Sequence, residues 1–174
     1  MAVDDKHLRT ILTPRELFNV GQHGLIRLAE AVKSNRNSPR FNVSARIGND
    51  VLGVLGEYAF CKAAGIQWES RLGSFHSLAD ADSHFEIRTA CYRKSHLPIR
   101  LGDVFSRTFV LVTCSELPVF DIAGWIVGHE GIELHKRRFG PDPIVSEKPN
   151  AMSRNDPCWW CPHDQLRPIE SLCV

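Results

Sequence analysis

The chain has 174 residues, 43% of them hydrophobic and 24% charged, and a formal net charge of +1. This composition fits one globular domain with a buried core and excludes a disordered or fibrous chain. No run approaches the roughly 18 consecutive apolar residues of a membrane span. The near-neutral balance does not announce a nucleic-acid binder, so such a contact would need a local patch. The charged start, MAVDDKHLRT, lacks the apolar run of a signal peptide, which implies a cytoplasmic address. The six cysteines then read as reduced thiols.

In chain order, Thr13-Pro14-Arg15-Glu16 is a capping box with proline at the first helical position. Apolar residues Leu17, Phe18, Leu25, Ile26, Leu28, Ala29 and Val32 predict one or two helices over 14–34, weakened at Gly21 and Gly24. Residues 35–44 are polar and read as a loop. A second helix runs from Ser44 or Asn49 to Ala64, with Gly65 as its C-terminal cap. The period then changes. Residues 84–90 alternate as a strand, and 97–101 make another. Residues 108–113 are apolar on both faces, as a central strand is. Residues 119–127 form a further strand, closed by Gly128–Gly131. The stretch 137–157 holds four of the ten prolines and reads as a surface excursion. Residues 163–172 suit a short helix, with Trp159 and Trp160 packed on the body.

Helices followed by a strand cluster predict an α/β or α+β fold, with a mixed central sheet flanked by helices. It reads as one domain. An N-terminal helical part (1–45) leads into a core (46–130) and a C-terminal extension (131–174).

The strand Phe85-Glu86-Ile87-Arg88-Thr89 carries the most chemistry. Alternation puts Phe85, Ile87 and Thr89 on one face and Glu86 with Arg88 on the other. Just upstream, Asp80 and Asp82 lie in a polar turn. Carboxylates in such an array can hold Mg2+ or Mn2+ through oxygen. The ion would polarise a phosphate, and the cation beside it would neutralise charge developing in the transition state. The plainer alternative is a same-face ion pair between Glu86 and Arg88. On the helix ending at Ala64, Asp50, Gly53, Val54 and Glu57 share one stripe. Glu57 is thus a carboxylate on a mostly apolar helix, or else a solvent-facing one. Gly53 and Gly56 suggest close approach of another backbone or a ligand.

Gly56-Glu57-Tyr58-Ala59, the turn aspartate, Glu86-Ile87-Arg88 and the later Gly124-Trp125-Ile126 together resemble the PD-(D/E)XK nuclease superfamily. The closest likeness is to its small phage-type and bacterial members. The resemblance covers roughly 45–130. It implies a restriction-endonuclease-like core and hydrolysis of DNA phosphodiesters with Mg2+ or Mn2+. It further implies Asp80 or Asp82 as central metal ligand, Glu86 as second ligand, Glu57 as accessory ligand, and Arg88 in the place of the usual lysine. Arginine is not deprotonated in proteins, so Arg88 cannot serve as a base, though it can clamp a phosphate. The alternative is a nuclease-fold protein that has lost catalysis and binds nucleic acid or protein. The implied partner is DNA, with a homodimer or protein partner left open.

Residues 87–107 carry Arg88, Arg93, Lys94, Arg100 and Arg107 against the single acid Asp103. Arg93, Lys94, Arg100 and Arg107 are the candidate contacts to a DNA backbone, gripping without reading sequence. His135-Lys136-Arg137-Arg138 is a second basic run. Cys158-x-x-Cys161-x-His163 is half of a zinc pattern, with Cys173 as a distant fourth ligand and packing thiols as the alternative.

Overall fold

The computed structural model of the chain describes residues 8–33, 43–70, 81, 84–144 and 157–172. Its elements are β1 (Leu8–Ile11), α1 (Pro14–Lys33), α2 (Val43–Ala64), β2 (Phe85–Ala90), β3 (Leu97–Arg100), β4 (Thr108–Glu116), β5 (Val119–Val127), α3 (Gly128–Phe139) and β6 (Cys158–Cys161). The fold is α/β, with a four-stranded mixed sheet in the order β1-β5-β4-β2. β2 runs parallel to β4, and the other pairings are antiparallel. β3 and β6 form a separate antiparallel ribbon.

The capping box starts α1 as the sequence requires. The Glu16 carboxylate accepts from the Thr13 amide at 2.7 Å, and Thr13 Oγ1 accepts from the Glu16 amide at 3.2 Å. Two groups of α2 converge on that carboxylate, Lys62 Nζ at 2.8 Å and the Tyr58 hydroxyl at 2.9 Å. Lys62, chiefly, holds Glu16 down from an ordinary 4.5 to about 2. The cap therefore also docks one helix on the other. The two glycines of α1 do not split it. A Cβ at Gly24 would lie 2.5 Å from the Val51 Cα and 2.9 Å from the Asp50 carbonyl oxygen. The bare backbone is what lets α2 cross that closely.

The sheet separates two apolar layers. Val54, Leu55, Ala59 and Phe60 of α2 pack on Phe85, Ile87, Val110, Val112, Phe120 and Ile122. On the opposite face, Phe109, Leu111, Ala123 and Ile126 meet Ile132 of α3 and Leu97, Ile99 and Cys161 of the ribbon. Strand alternation thus sends Phe85 and Ile87 to the helices, and Glu86 and Arg88 to the ribbon side. A mixed sheet with both faces covered explains why β4 reads as continuously apolar.

Four segments differ from the sequence expectation. Gly128–Gly131 is the first turn of α3, not a strand closure, and the helix extends into the stretch read as a surface excursion. Two glycines in one turn argue against a helix by propensity. Here they are close contacts. A Cβ at Gly128 would sit 2.7 Å from the Phe105 carbonyl oxygen, and one at Gly131 would sit 2.6 Å from Ile99 Cδ1. β1 lies inside the part read as helical and is too short to show a period; its pairing with β5 makes it a strand. β6 is the segment read as packing tryptophans and as half of a zinc pattern, and 97–100 pairs with it rather than with the main sheet. The tail read as a short helix is two isolated 3-10 turns, each beginning after a proline. Among the described residues no helix is long and apolar enough to cross a membrane.

The two glycines of α2 separate into unlike cases. At Gly56 a Cβ would overlap Thr89 Oγ1 and approach Thr89 Cγ2 at 2.8 Å, whereas at Gly53 nothing lies within 4 Å. Gly56→Ala should destabilise the fold by about 1–3 kcal/mol through overpacking. Gly53→Ala should stabilise it by about 0.5–1 kcal/mol through helix propensity. Urea unfolding of both variants tests the packing. Equal midpoints would show that α2 does not sit on Thr89 as described.

Candidate functional site

Glu57 is buried and faces α1, not the strand that carries Glu86. Arg27 of α1 meets it with both terminal nitrogens, at 2.6 and 2.7 Å. The guanidinium side chain is 19% exposed and the carboxylate side chain 7%. A planar fork on a carboxylate in a nearly dry setting satisfies most of the charge and geometry of both groups. The sequence expectation treated Glu57 as a lone acid because Arg27 lies thirty residues away on another helix.

Glu86, also buried, sits at the start of β2 on the ribbon side. Arg107 ion-pairs with one of its oxygens, and Arg88 Nη1 lies 3.4 Å from the other. Arg88 reaches on with Nη2 to Asp103 at 2.7 Å, and its guanidinium carbon stands 5.4 Å from the centre of the Phe109 ring. Asp103 accepts the Arg100 amide as well, at 2.8 Å, which fixes the turn after β3. Two carboxylates and two guanidiniums thus form a charge-balanced chain: Arg107, Glu86, Arg88, Asp103. The same-face placement of Glu86 and Arg88 is as expected. The engagement of Arg107 and Asp103 was not visible, since both come from the crossover between β2 and β4.

Of the expected site positions the described residues include Glu57, Glu86 and Arg88, and Glu57 lies on the other side of the sheet from Glu86 and Arg88. Gly56 lies on the Thr89 face of β2, and the α2 core packs on that same face. Glu86 and Arg88 point from the other. Asp80 and Asp82 lie outside the described residues. Ala81, between them, exchanges backbone hydrogen bonds with Phe85 at 3.0 and 3.2 Å. Among the described residues no three His, Cys, Asp or Glu side chains are grouped to hold a metal ion. Glu57 and Glu86 do not fit as joint ligands of one Mg2+ or Mn2+, because the sheet lies between them and arginine occupies each.

The expected DNA contacts divide. Arg107 is drawn into the Glu86 chain, and Arg100 is half-buried on β3. Arg93 and Lys94 stand exposed on the turn after β2. Arg93 Nε is 3.6 Å from Asp121, a buried acid of β5 that the sequence reading passed over. Arg9 of β1 bonds the same carboxylate at 2.7 Å. Alternation within 119–127 could have exposed Asp121 as an acid in an otherwise apolar strand.

Of the second basic run, His135 is wholly buried. Its Nδ1 accepts the Trp160 amide at 2.8 Å, so Nε2 carries the hydrogen donated to the Asp142 carbonyl at 3.1 Å. That ring fastens β6 to α3. Lys136 and Arg138 pair with Glu133 and Asp164 at the surface. Cys158 and Cys161, three positions apart on β6, are buried thiols without a disulfide. Burial foremost, then Asp164, pushes Cys161 up to about 12, and its thiol donates to the Pro162 carbonyl at 3.8 Å. Cys173 lies outside the described residues.

Compared with known protein families, characterised proteins and solved structures, the chain matches none.

The Arg27–Glu57 pair makes a clear prediction. Removing one partner strands a buried charge, so Arg27→Ala and Glu57→Ala should each cost about 3–5 kcal/mol. Replacing both with apolar residues, Arg27→Met with Glu57→Leu, should cost less than either single change. Urea titrations of the three variants would measure this. Additive losses would mean that the two groups do not depend on each other.

Proposed function

We propose that this chain is a nucleic-acid-binding module on a nuclease-like α/β scaffold, holding the phosphate backbone with arginine and lysine and needing no metal to do so. One observation carries the reading. The Glu86 carboxylate, the centre of the expected metal set, is occupied by Arg107 and Arg88. Such a carboxylate is neutralised within the protein, and a cation would have to displace a guanidinium to be bound there. Beside this inward chain the next turn shows its cations outward. Tyr92, Arg93 and Lys94 are exposed in a row, with Arg93 braced on Asp121. Outward arginine and lysine next to an aromatic ring suit a phosphodiester chain and its bases.

A second reading is hydrolysis of DNA phosphodiesters with a divalent ion. It is favoured by the buried Glu86 lying one residue beyond Phe85, to which Ala81 bonds between Asp80 and Asp82. The two readings part on chelation. Binding of a labelled oligonucleotide, followed by anisotropy, should weaken steeply with rising salt and should be unchanged by EDTA. No cut product should form with Mg2+ or Mn2+. Binding lost in EDTA, or cleavage abolished by Glu86→Gln, would replace the first reading with the second.

A further inference from the structure

The sheet register places two cysteines side by side. β2 and β4 run parallel, and the last residues of β2 and β4 paired with each other are Ala90 and Thr113. The next residue along the chain from each is a cysteine, Cys91 and Cys114. Carried one step further, the register sets these two opposite each other. Aligned residues of neighbouring strands stand about 4.8 Å apart and point to one face. Cys114 lies on the helical face with Val110 and Val112. Alternation through Phe85, Ile87 and Thr89 sends Cys91 to that face as well. The electrostatics agree. Burial first, and then the Cys91 thiol close by, raise Cys114 to about 11. Neither cysteine is in a disulfide.

This placement suits a covalent bond. A disulfide joins Cα atoms about 4.4–6.8 Å apart, so these two can be linked with little movement of the backbone. Their burial gives them different parts. Cys91 is half-buried at the start of the turn after β2, within reach of a small reagent. Cys114 is 6% exposed in the core layer, and the group that can reach it is its neighbour. Burial raises Cys91 too, so both are protonated at neutral pH and exchange with an outside reagent is slow. Once Cys91 has reacted, the second thiol is already in place, and closure needs no encounter.

We infer that Cys91 and Cys114 form an exchange site for small-molecule disulfides, which they reduce while closing a disulfide bond of their own. Cys91 gives its proton to water, and its sulfur attacks one sulfur of the small disulfide. That S–S bond breaks, and the departing thiolate takes up a proton. Cys114 then gives up its proton, attacks the Cys91 sulfur and expels the second small thiol. Two protein thiols are oxidised, and one small disulfide is reduced to two thiols. The new bond closes the crossover 92–113 into a loop. That segment holds the outward Tyr92, Arg93 and Lys94, the strand β3, and Asp103 and Arg107 of the buried charge chain. Oxidation thus staples the crossover to the sheet at its two ends. The inference stands apart from the nucleic-acid-binding reading and does not need it.

The test treats the folded full-length chain with oxidised glutathione. Exchange is stopped with acid, the remaining thiols are alkylated in denaturant, and the digest is mapped by mass spectrometry. A linked peptide pair carrying Cys91 and Cys114 should appear, with the loss of two hydrogens. The thermal midpoint should rise by about 5–10 °C over the reduced chain, because loop closure restricts the unfolded state. Cys114→Ser lacks the resolving thiol and should keep glutathione bound at Cys91. Cys91→Ser should form neither the bond nor an adduct at Cys114. The wild-type map needs no variant, so it decides even if a serine variant fails to fold. If Cys91 and Cys114 are both alkylated after exposure, or are linked to other cysteines, the site is wrong. If the bond forms and the midpoint does not rise, the two residues are not placed as described. If Cys114→Ser folds and carries no glutathione, or Cys91→Ser carries it at Cys114, the order of attack is wrong.

Discussion

A carboxylate taken out of water must meet a cation or donors that replace its hydration, or give up its charge. In this chain the side chains of Glu57, Glu86, Asp103 and Asp121 are each 10% exposed or less, and arginine answers every one. Arg27 ties α1 to α2, Arg107 and Arg88 tie the crossover to β2, and Arg9 ties β1 to β5. The acids of the interior thus also join elements that the apolar layers alone would leave free to slide. Both long-range contacts and short turns depend on this pairing; Asp103, for example, holds Arg88 and the Arg100 amide with one oxygen.

The sheet decides which acids can cooperate. Its strands present alternate side chains to two separately packed layers, so one residue's step moves a group to the other layer. Thr89 lies against Gly56 on the helical side, while Arg88 lies over Phe109 on the ribbon side. Glu57 and Glu86 are consequently members of different layers, however near they are in the order of motifs. Arg9, Asp121, Thr113 and Ala90, remote in sequence, become neighbours because three ladders set them in one row.

What was legible in the sequence is what local chemistry controls. Thr13 and Glu16 form a capping box whatever the rest of the chain does, and 108–113 reads as a strand because both its faces are apolar. The alternation of 85–89 correctly separated Glu86 and Arg88 from Phe85 and Ile87. The illegible parts depend on distant partners. The glycines of α3 look like helix breakers until Phe105 and Ile99 are seen against them. β1 and β6 are four residues each, too short for a period, and exist through β5 and β3. Sequence likewise cannot show that Arg27 reaches Glu57. The row of basic residues over 87–107 looked uniform, yet it divides into inward and outward members according to which acid each one meets.

Arginine satisfies Glu86, through Arg107 and Arg88. Calorimetric titration of the purified chain with Mn2+ tests this most directly. Without nucleic acid, wild type should show no saturable uptake, and Glu86→Gln should give the same flat trace. Uptake of one ion per chain that Glu86→Gln abolishes would contradict it.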